Sequence, residues 1–125
     1  MSKDNLVSIE HKVRESPKTL WILCGLPYSG KTYWAEQIVA STHIKYVSID
    51  KIFHRRGFNW DTNKLPSAKD WQEIFDESYS ALQSALKAGE SVLYDSTNHT
   101  KQSRDVLRQK AKEVGGSARV IFVDT

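Results

Sequence analysis

Short apolar runs alternate with helix-like patterns along most of this chain. Four such runs predict β-strands, at residues 20–24, 44–49, 91–94 and 118–123. Between them, apolar residues recur at intervals of three and four, which is typical of helices that pack one face against a sheet. Strands that alternate with helices at this spacing favour a parallel sheet with right-handed crossovers and helices on both faces. The pattern predicts an α/β domain.

The helical segments carry their own start and stop signals. Helices are predicted at 31–40, just after residue 50, at 67–89 and at 101–114. The third is expected to open with a capping box formed by Ser67 and Asp70. Residues 51–66 mix aromatic and basic side chains without a clear period. We interpret them as a short helix followed by an irregular segment on the substrate side of the domain. The mostly polar residues 1–18 are interpreted as an N-terminal arm ahead of a domain at 19–125.

A chain of 125 residues is long enough for one domain with a single core and too short for two. Its net charge of +3 argues by itself for neither nucleic-acid nor membrane binding. The single cysteine, Cys24, falls in a predicted strand and is expected to be a buried hydrophobic side chain. The sequence shows no signal peptide and no apolar stretch of membrane-spanning length, which predicts a soluble, cytoplasmic protein. The four histidines lack metal-ligand spacing, so no zinc site is expected.

The strongest local signal is a glycine-rich segment between the first strand and the first helix. It reads Gly25-Leu26-Pro27-Tyr28-Ser29-Gly30-Lys31-Thr32 and fits G-x-x-x-x-G-K-[ST], the Walker A motif. Glycine lets the backbone turn so that successive amides point into one anion-sized hollow, and the following helix adds its positive end. These residues and Tyr33 form the predicted ATP-binding set, in which Lys31 reaches the β and γ phosphates and Thr32 ligates Mg²⁺. The alternative is an ordinary glycine-rich turn.

Two aspartates follow predicted strands and would lie at the edge where open α/β sheets bind ligands. Asp95 is predicted to act as a Walker B acid that ligates the metal together with Thr32. Asp50 is predicted to be the general base that accepts the proton of an acceptor hydroxyl. Either acid could instead cap a neighbouring helix or turn.

A basic face runs along the last predicted helix. It consists of Lys101, Arg104, Arg108 and Lys112, spaced by three and four residues. Most such faces are only solvated, but Arg104 is closest to the Asp95 loop and is predicted to be catalytic.

Two stretches together extend beyond the Walker A match. They are residues 25–32 and the run Val92-Leu93-Tyr94-Asp95-Ser96-Thr97-Asn98 with the following Lys101-Gln102-Ser103-Arg104. On these residues the chain resembles the polynucleotide kinase-like P-loop kinases (AAA_33, zeta-toxin-related). This group includes the 5′-hydroxyl polynucleotide kinase domain, with chloramphenicol phosphotransferase and zeta-toxin kinases as more distant relatives. The likeness runs from about Thr19 to Val123.

The resemblance implies a fold and an activity. The fold is a three-layer P-loop NTPase with about four parallel strands in the adenylate kinase-like order 2-3-1-4, and the activity passes the γ-phosphate of ATP to a hydroxyl. By resemblance, Lys31 and Thr32 take the nucleotide and Mg²⁺, and Asp50 is the base. The acidic strand tip and its loop correspond to Asp95, Asn98 and Arg104.

This chain departs from the family pattern in two places. Polynucleotide kinases carry an arginine three residues after the base, where this chain has Phe53; Arg55 and Arg56 are the candidates to replace it and, with Asn98, are predicted to bind the acceptor. The family also continues into an arginine-bearing lid and a further strand, so the domain is expected to be truncated before them.

Two functions stay open at this point. One is a Mg²⁺-dependent kinase that acts on a hydroxyl of a nucleic acid or small molecule, and the other is a nucleotide-binding module or fragment with little catalytic activity. An ATPase or GTPase switch is disfavoured because no N-K-x-D motif is present, and nucleic-acid binding alone would depend on the basic face.

Overall fold

The computed structural model describes residues 12, 17–24, 31–96 and 100–122. The elements in chain order are β1 (Thr19–Cys24), α1 (Lys31–Thr42), β2 (Lys45–Ser48), α2 (Ile49–Arg55), α3 (Ala68–Lys87), β3 (Val92–Asp95), α4 (Lys101–Glu113) and β4 (Ser117–Phe122). No helix within these ranges combines the length and the apolar character needed to cross a membrane.

The strands form one parallel sheet in the order β2-β3-β1-β4. β1 lies inside the sheet, where Leu20 pairs with Val92 of β3 on one side and with Ala118 of β4 on the other. Parallel neighbours cannot be joined by tight turns, so helices make the crossovers. The predicted α/β P-loop fold with strand order 2-3-1-4 is therefore confirmed.

A hydrophobic core lies on each face of the sheet. Every residue of β1 is buried, as expected for a strand that has neighbours on both edges and helices on both faces. On one face, α1 packs Trp34 and Ile38 against Leu23. On the other face, α2, α3 and α4 contribute Ile52, Phe53, Ile74, Leu82, Leu86 and Leu107 to a larger core. The layers are thus helix, sheet and helix.

The ends of α3 follow the local sequence signals. The Ser67 hydroxyl accepts a hydrogen bond from the Asp70 amide at 3.2 Å, and the Asp70 carboxylate accepts one from the Ser67 amide at 2.9 Å, which confirms the predicted capping box. Gly89 follows the helix with a φ of +85°, a left-handed conformation that glycine adopts without strain. Cys24 is buried in β1, as predicted.

The boundaries around Asp50 and Asp95 differ from the prediction by one residue. β2 ends at Ser48 rather than Ile49, because Ser48 caps α2 and accepts a hydrogen bond from the Lys51 amide at 3.3 Å. β3 extends through Asp95. Asp95 is therefore the last residue of a strand, whereas Asp50 belongs to a helix.

Candidate functional site

The carboxyl ends of the strands meet at one edge of the sheet, which is where open α/β folds bind ligands. β1 ends at Cys24, residues 25–30 follow it in the sequence, and α1 begins at Lys31. Residues 25–30 and the side chains of Lys31 and Thr32 lie outside the described part of the chain. The predicted nucleotide contacts of residues 25–32 therefore stay predictions. Tyr33, the last of the predicted set, is described and is exposed.

Asp95 lies level with the ends of both neighbouring strands. Its backbone pairs with Leu23 of β1 and with Ser48 of β2. Because side chains alternate along a strand, Asp95 shares the face of Leu93, which α1 covers. The side chain is buried, with 8% of Asp95 exposed to solvent. A buried acid thus sits beside the strand that leads into the Walker A segment.

Tyr46 holds the Asp95 carboxylate. The Tyr46 hydroxyl donates a hydrogen bond to Asp95 Oδ2 at 2.5 Å. Burial, followed by this hydrogen bond and the charge of Asp95, raises the pKa of Tyr46, so the phenol stays protonated and able to donate at neutral pH. Sequence reasoning missed Tyr46, although the alternation of Tyr46, Val47 and Ser48 places it on the same face of the sheet as Asp95.

Asp50 is the second residue of α2 and is exposed. It does not cap this helix, because the cap is Ser48, so the capping alternative for Asp50 is excluded. Asp50 Oδ1 lies 3.4 Å from His54 Nε2, and the two side chains form an ion pair when the imidazole is protonated. His54 was also missed, although residues four apart on a helix face each other. An exposed carboxylate at this end of β2 is accessible to an acceptor molecule.

Arg55 and Arg56, predicted to bind the acceptor, are directed toward α3. Arg55 pairs with Glu77, and Arg56 pairs with Glu77 at 2.8 Å and with Glu73 at 3.5 Å. Surface ion pairs of this kind contribute about 0–1 kcal/mol, so a phosphate group can compete with either carboxylate. Substrate binding by these arginines stays a prediction.

Phe53 lies three residues after Asp50, at the position where the resemblance to polynucleotide kinases implies an arginine. It is 1% exposed and belongs to the core between α2 and α3. Its ring stacks on Trp60, with 4.8 Å between ring centres, and on Trp71, with 5.7 Å between ring centres. This position therefore supplies packing and no positive charge to the site.

The start of α4 lies near the same edge of the sheet, because α4 follows β3 through residues 96–100. Thr100 caps α4, and its hydroxyl accepts a hydrogen bond from the Ser103 amide at 3.0 Å. Asp95 is therefore not the cap of this helix. Asn98, a predicted substrate contact, lies outside the described residues.

The basic face of α4 is partly neutralised. Asp105 lies 2.9 Å from the Arg108 guanidinium and 3.7 Å from the Lys101 ammonium. Arg104 is partly exposed in the first turns of the helix, where its amide donates to the Thr100 carbonyl. The Arg104 backbone therefore belongs to the first turn of α4, and its catalytic role stays a prediction.

The donors near Asp95 suit Mg²⁺. Asp95 and Ser96 are buried and bear oxygen, and Thr32 lies in the helix that begins at the same edge. Within residues 17–24, 31–96 and 100–122, no group of three or more His, Cys, Asp or Glu side chains could hold a metal. Mg²⁺ does not require such a group, because it is usually held by one or two carboxylates together with waters and substrate phosphates. The residues present fit Mg²⁺ that arrives with a nucleotide.

A match to a family model shows which protein family this chain belongs to. Residues 20–125 match AAA_33, a family described as an AAA domain. The chain belongs to this family. The match includes the Walker A segment and Asp95, and it confirms the resemblance to the P-loop kinases of the polynucleotide kinase group.

Solved structures share the fold of this AAA_33 domain. A chain of the Pnkp1/Rnl/Hen1 complex is 22% identical with a TM-score of 0.72, over 86% of this chain and 35% of that chain. The APS kinase CysC of Mycobacterium tuberculosis is 21% identical with a TM-score of 0.59, over 88% of this chain and 77% of that chain. A gluconokinase from Sinorhizobium meliloti 1021 is 18% identical with a TM-score of 0.55, over 84% of this chain and 57% of that chain.

These TM-scores show that the domain shares the fold of the P-loop kinases. The AAA_33 domain described here spans about a third of the chain from the Pnkp1/Rnl/Hen1 complex and somewhat more than half of the gluconokinase.

Proposed function

We propose that this AAA_33 domain binds ATP with Mg²⁺ and transfers the γ-phosphate to a hydroxyl of a nucleic acid or a small molecule. The observation that carries the proposal is the position of Asp95. It is a buried carboxylate level with the end of β1, on the face of the sheet covered by the helix that follows the Walker A segment. Phosphoryl transfer depends mainly on positioning and on charge stabilisation, which these elements can supply.

The nucleotide would lie at the carboxyl edge of β1 and β3. The amides of residues 25–32 would surround the phosphates, and Lys31 would reach the β and γ phosphates. Thr32 and Asp95 would hold Mg²⁺, which neutralises charge on the phosphate oxygens when it is bound. Arg104 would contact the transferred phosphate from α4, which starts near the same edge.

The acceptor would approach from the side of α2. There Asp50 is exposed and would accept the proton of the acceptor hydroxyl. Arg55, Arg56 and Asn98 would contact the acceptor, and the two arginines would exchange their ion pairs with α3 for the new contact.

Incubation with γ-labelled ATP and a panel of hydroxyl acceptors tests this proposal. The wild-type domain should transfer label, and Asp50→Asn should reduce transfer by about a hundredfold or more, because it removes the base. Asp61→Asn, at an exposed position in the segment after α2, is the matched control and should keep wild-type transfer. Transfer that persists in Asp50→Asn would remove Asp50 from its role, and no transfer by the wild type would count against the kinase.

A nucleotide-binding module with little catalysis is the second candidate, and Phe53 favours it. An arginine that stabilises the transferred phosphoryl group contributes on the order of a thousandfold or more in rate, which is about 4 kcal/mol. Phe53 is apolar, and both arginines that follow it are paired with α3. Under this candidate, ATP and Mg²⁺ raise the melting temperature of a sample that shows no turnover with any acceptor, and measurable turnover rejects it.

A further inference from the structure

Two tyrosines on neighbouring strands each place a hydroxyl in a hydrogen bond, but their partners differ. The Tyr46 hydroxyl donates to the Asp95 carboxylate at 2.5 Å. The Tyr94 hydroxyl lies 2.8 Å from the Ser78 hydroxyl in the core on the opposite face of the sheet. The Tyr46 hydroxyl is therefore paired with an acid of the candidate site, whereas the Tyr94 hydroxyl is paired with a neutral group of the core.

The Tyr46 ring is held on more than one side. It packs against the core beneath α1, and the Lys51 ammonium lies 4.8 Å from its ring centre. Lys51 follows Asp50 in the first turn of α2. The phenol ring therefore contacts both the core beneath α1 and a side chain of the helix that carries the proposed base.

A fixed donor determines how a carboxylate can bind a metal. The hydrogen bond to Oδ2 restricts the rotation of the Asp95 carboxylate and favours one orientation of the group before any ligand arrives. Mg²⁺ is demanding in this respect, because it requires nearly ideal octahedral geometry. Removal of a residue that hydrogen-bonds to a metal ligand typically lowers metal affinity 10–100-fold.

We propose that Tyr46 is a positioning residue that orients Asp95 for Mg²⁺ binding beside the Walker A segment. This inference rests on the proposed function, because it takes Asp95 to be a metal ligand. Tyr46 contacts neither nucleotide nor acceptor in this role and acts through Asp95. The phenol hydroxyl, rather than the ring, performs the function.

Tyr46→Phe and Tyr94→Phe form a matched pair for the test. Each removes one buried or partly buried phenol hydroxyl and leaves the ring and its packing in place. The measurement is the affinity for an ATP analogue by titration calorimetry across a range of Mg²⁺ concentrations and again with the metal chelated, with melting temperatures recorded for each protein without ligand.

Tyr46→Phe should raise the Mg²⁺ concentration needed for half-maximal enhancement of binding by about 10–100-fold. Its affinity for the analogue in the absence of metal should stay within about twofold of wild type, and Tyr94→Phe should keep the wild-type Mg²⁺ dependence. An identical Mg²⁺ dependence in the two variants would overturn the inference while leaving the proposed function intact. If the wild type binds nucleotide with no effect of Mg²⁺, both the metal site and this inference fail.

A double-mutant cycle with Asp95→Asn separates positioning from general stability. If Tyr46 acts through Asp95, Tyr46→Phe should have no further effect on Mg²⁺ dependence once Asp95 is replaced. An effect of Tyr46→Phe that is equally large in the Asp95→Asn background would show that the hydroxyl acts by another route, and would overturn the inference.

Discussion

At the scale of single residues, the two acids of the candidate site differ in their exposure to solvent. Asp95 is buried and held by Tyr46, whereas the side chain of Asp50 is exposed at the start of α2. A substitution at a buried acid changes packing and binding together, whereas one at an exposed acid changes mainly what a ligand meets there. The two positions therefore call for different tests.

Asp50→Asn should lower the free energy of unfolding by less than about 1 kcal/mol, because the side chain is exposed and loses only a first-turn helix interaction and a surface pair. Urea denaturation of wild type and variant measures this difference. The result matters for function, since a stable variant lets any loss of phosphoryl transfer be assigned to the missing carboxylate. A loss of several kcal/mol would contradict the exposed position of Asp50.

Single residues also show what local pattern could and could not predict. Cys24 is buried, as expected from its place in a predicted strand. The bond between Tyr46 and Asp95 joins residues 49 apart in sequence, and only the pairing of β2 with β3 brings them together. Contacts of this kind depend on strand register, which the sequence of one strand does not specify.

At the scale of elements, most boundaries follow from local signals. The capping box of α3 uses residues three apart, so its sequence signature and its structure coincide. The end of β2 was predicted one residue too late because Ile49 is apolar and suits either a strand or a helix facing the core. The deciding feature is the Ser48 hydroxyl, which satisfies an amide of α2.

The capping box makes the stability of α3 depend on acid. The Ser67 backbone amide, and then the Ser67 side chain, hold the pKa of Asp70 below its ordinary value. A carboxyl group with a lowered pKa in the folded state adds stability above its unfolded pKa, and this contribution is lost as the pH falls through the folded pKa. Asp70→Asn should therefore destabilise the domain at pH 7 and have a smaller effect in strong acid.

Urea denaturation of wild type and Asp70→Asn, at pH 7 and in strong acid, tests that prediction. Ser67→Ala, which removes the other half of the box, should cost about 1 kcal/mol at pH 7. Ser80→Ala, at an exposed position within α3, is the control for a serine replaced outside the cap. An effect of Asp70→Asn that is the same at neutral and acid pH would contradict the role assigned to the carboxylate.

At the scale of the whole molecule, the alternation of strands and helices was enough to predict the parallel sheet, and the family resemblance added its strand order. The packing of residues 51–66 was not predictable, because this segment has no period. Its aromatic side chains join α2 to α3, and Trp60 stacks on Phe53 from outside the helices. Such a cluster is defined by tertiary contact alone.

The position of β1 predicts where the sheet is most resistant to opening. Its amides lie between β3 and β4 and beneath helices on both faces, whereas β2 is at an edge and Lys45 is exposed. Amide hydrogen exchange should show Leu20 to Leu23 exchanging only through global unfolding and β2 exchanging earlier by local opening. Exchange of β1 as fast as that of β2 would contradict this order.

A cavity of about 650 Å³ lies at the amino ends of β2 and β3, on the opposite side of the sheet from the carboxyl ends of the strands. Its lining includes Thr42, His43, Glu90 and Ser91. Ligands of open α/β sheets bind at the carboxyl ends of the strands, so we expect the nucleotide on the opposite side of the sheet from this cavity.

The most direct test of the account is therefore the location of ATP, mapped by backbone amide chemical shifts as an ATP analogue and Mg²⁺ are added. We expect the largest changes on residues 24–33 and on Asp95 and Ser96, at the carboxyl ends of β1 and β3. Changes centred instead on His43 and Glu90, with residues 24–33 and Asp95 unaffected, would contradict it.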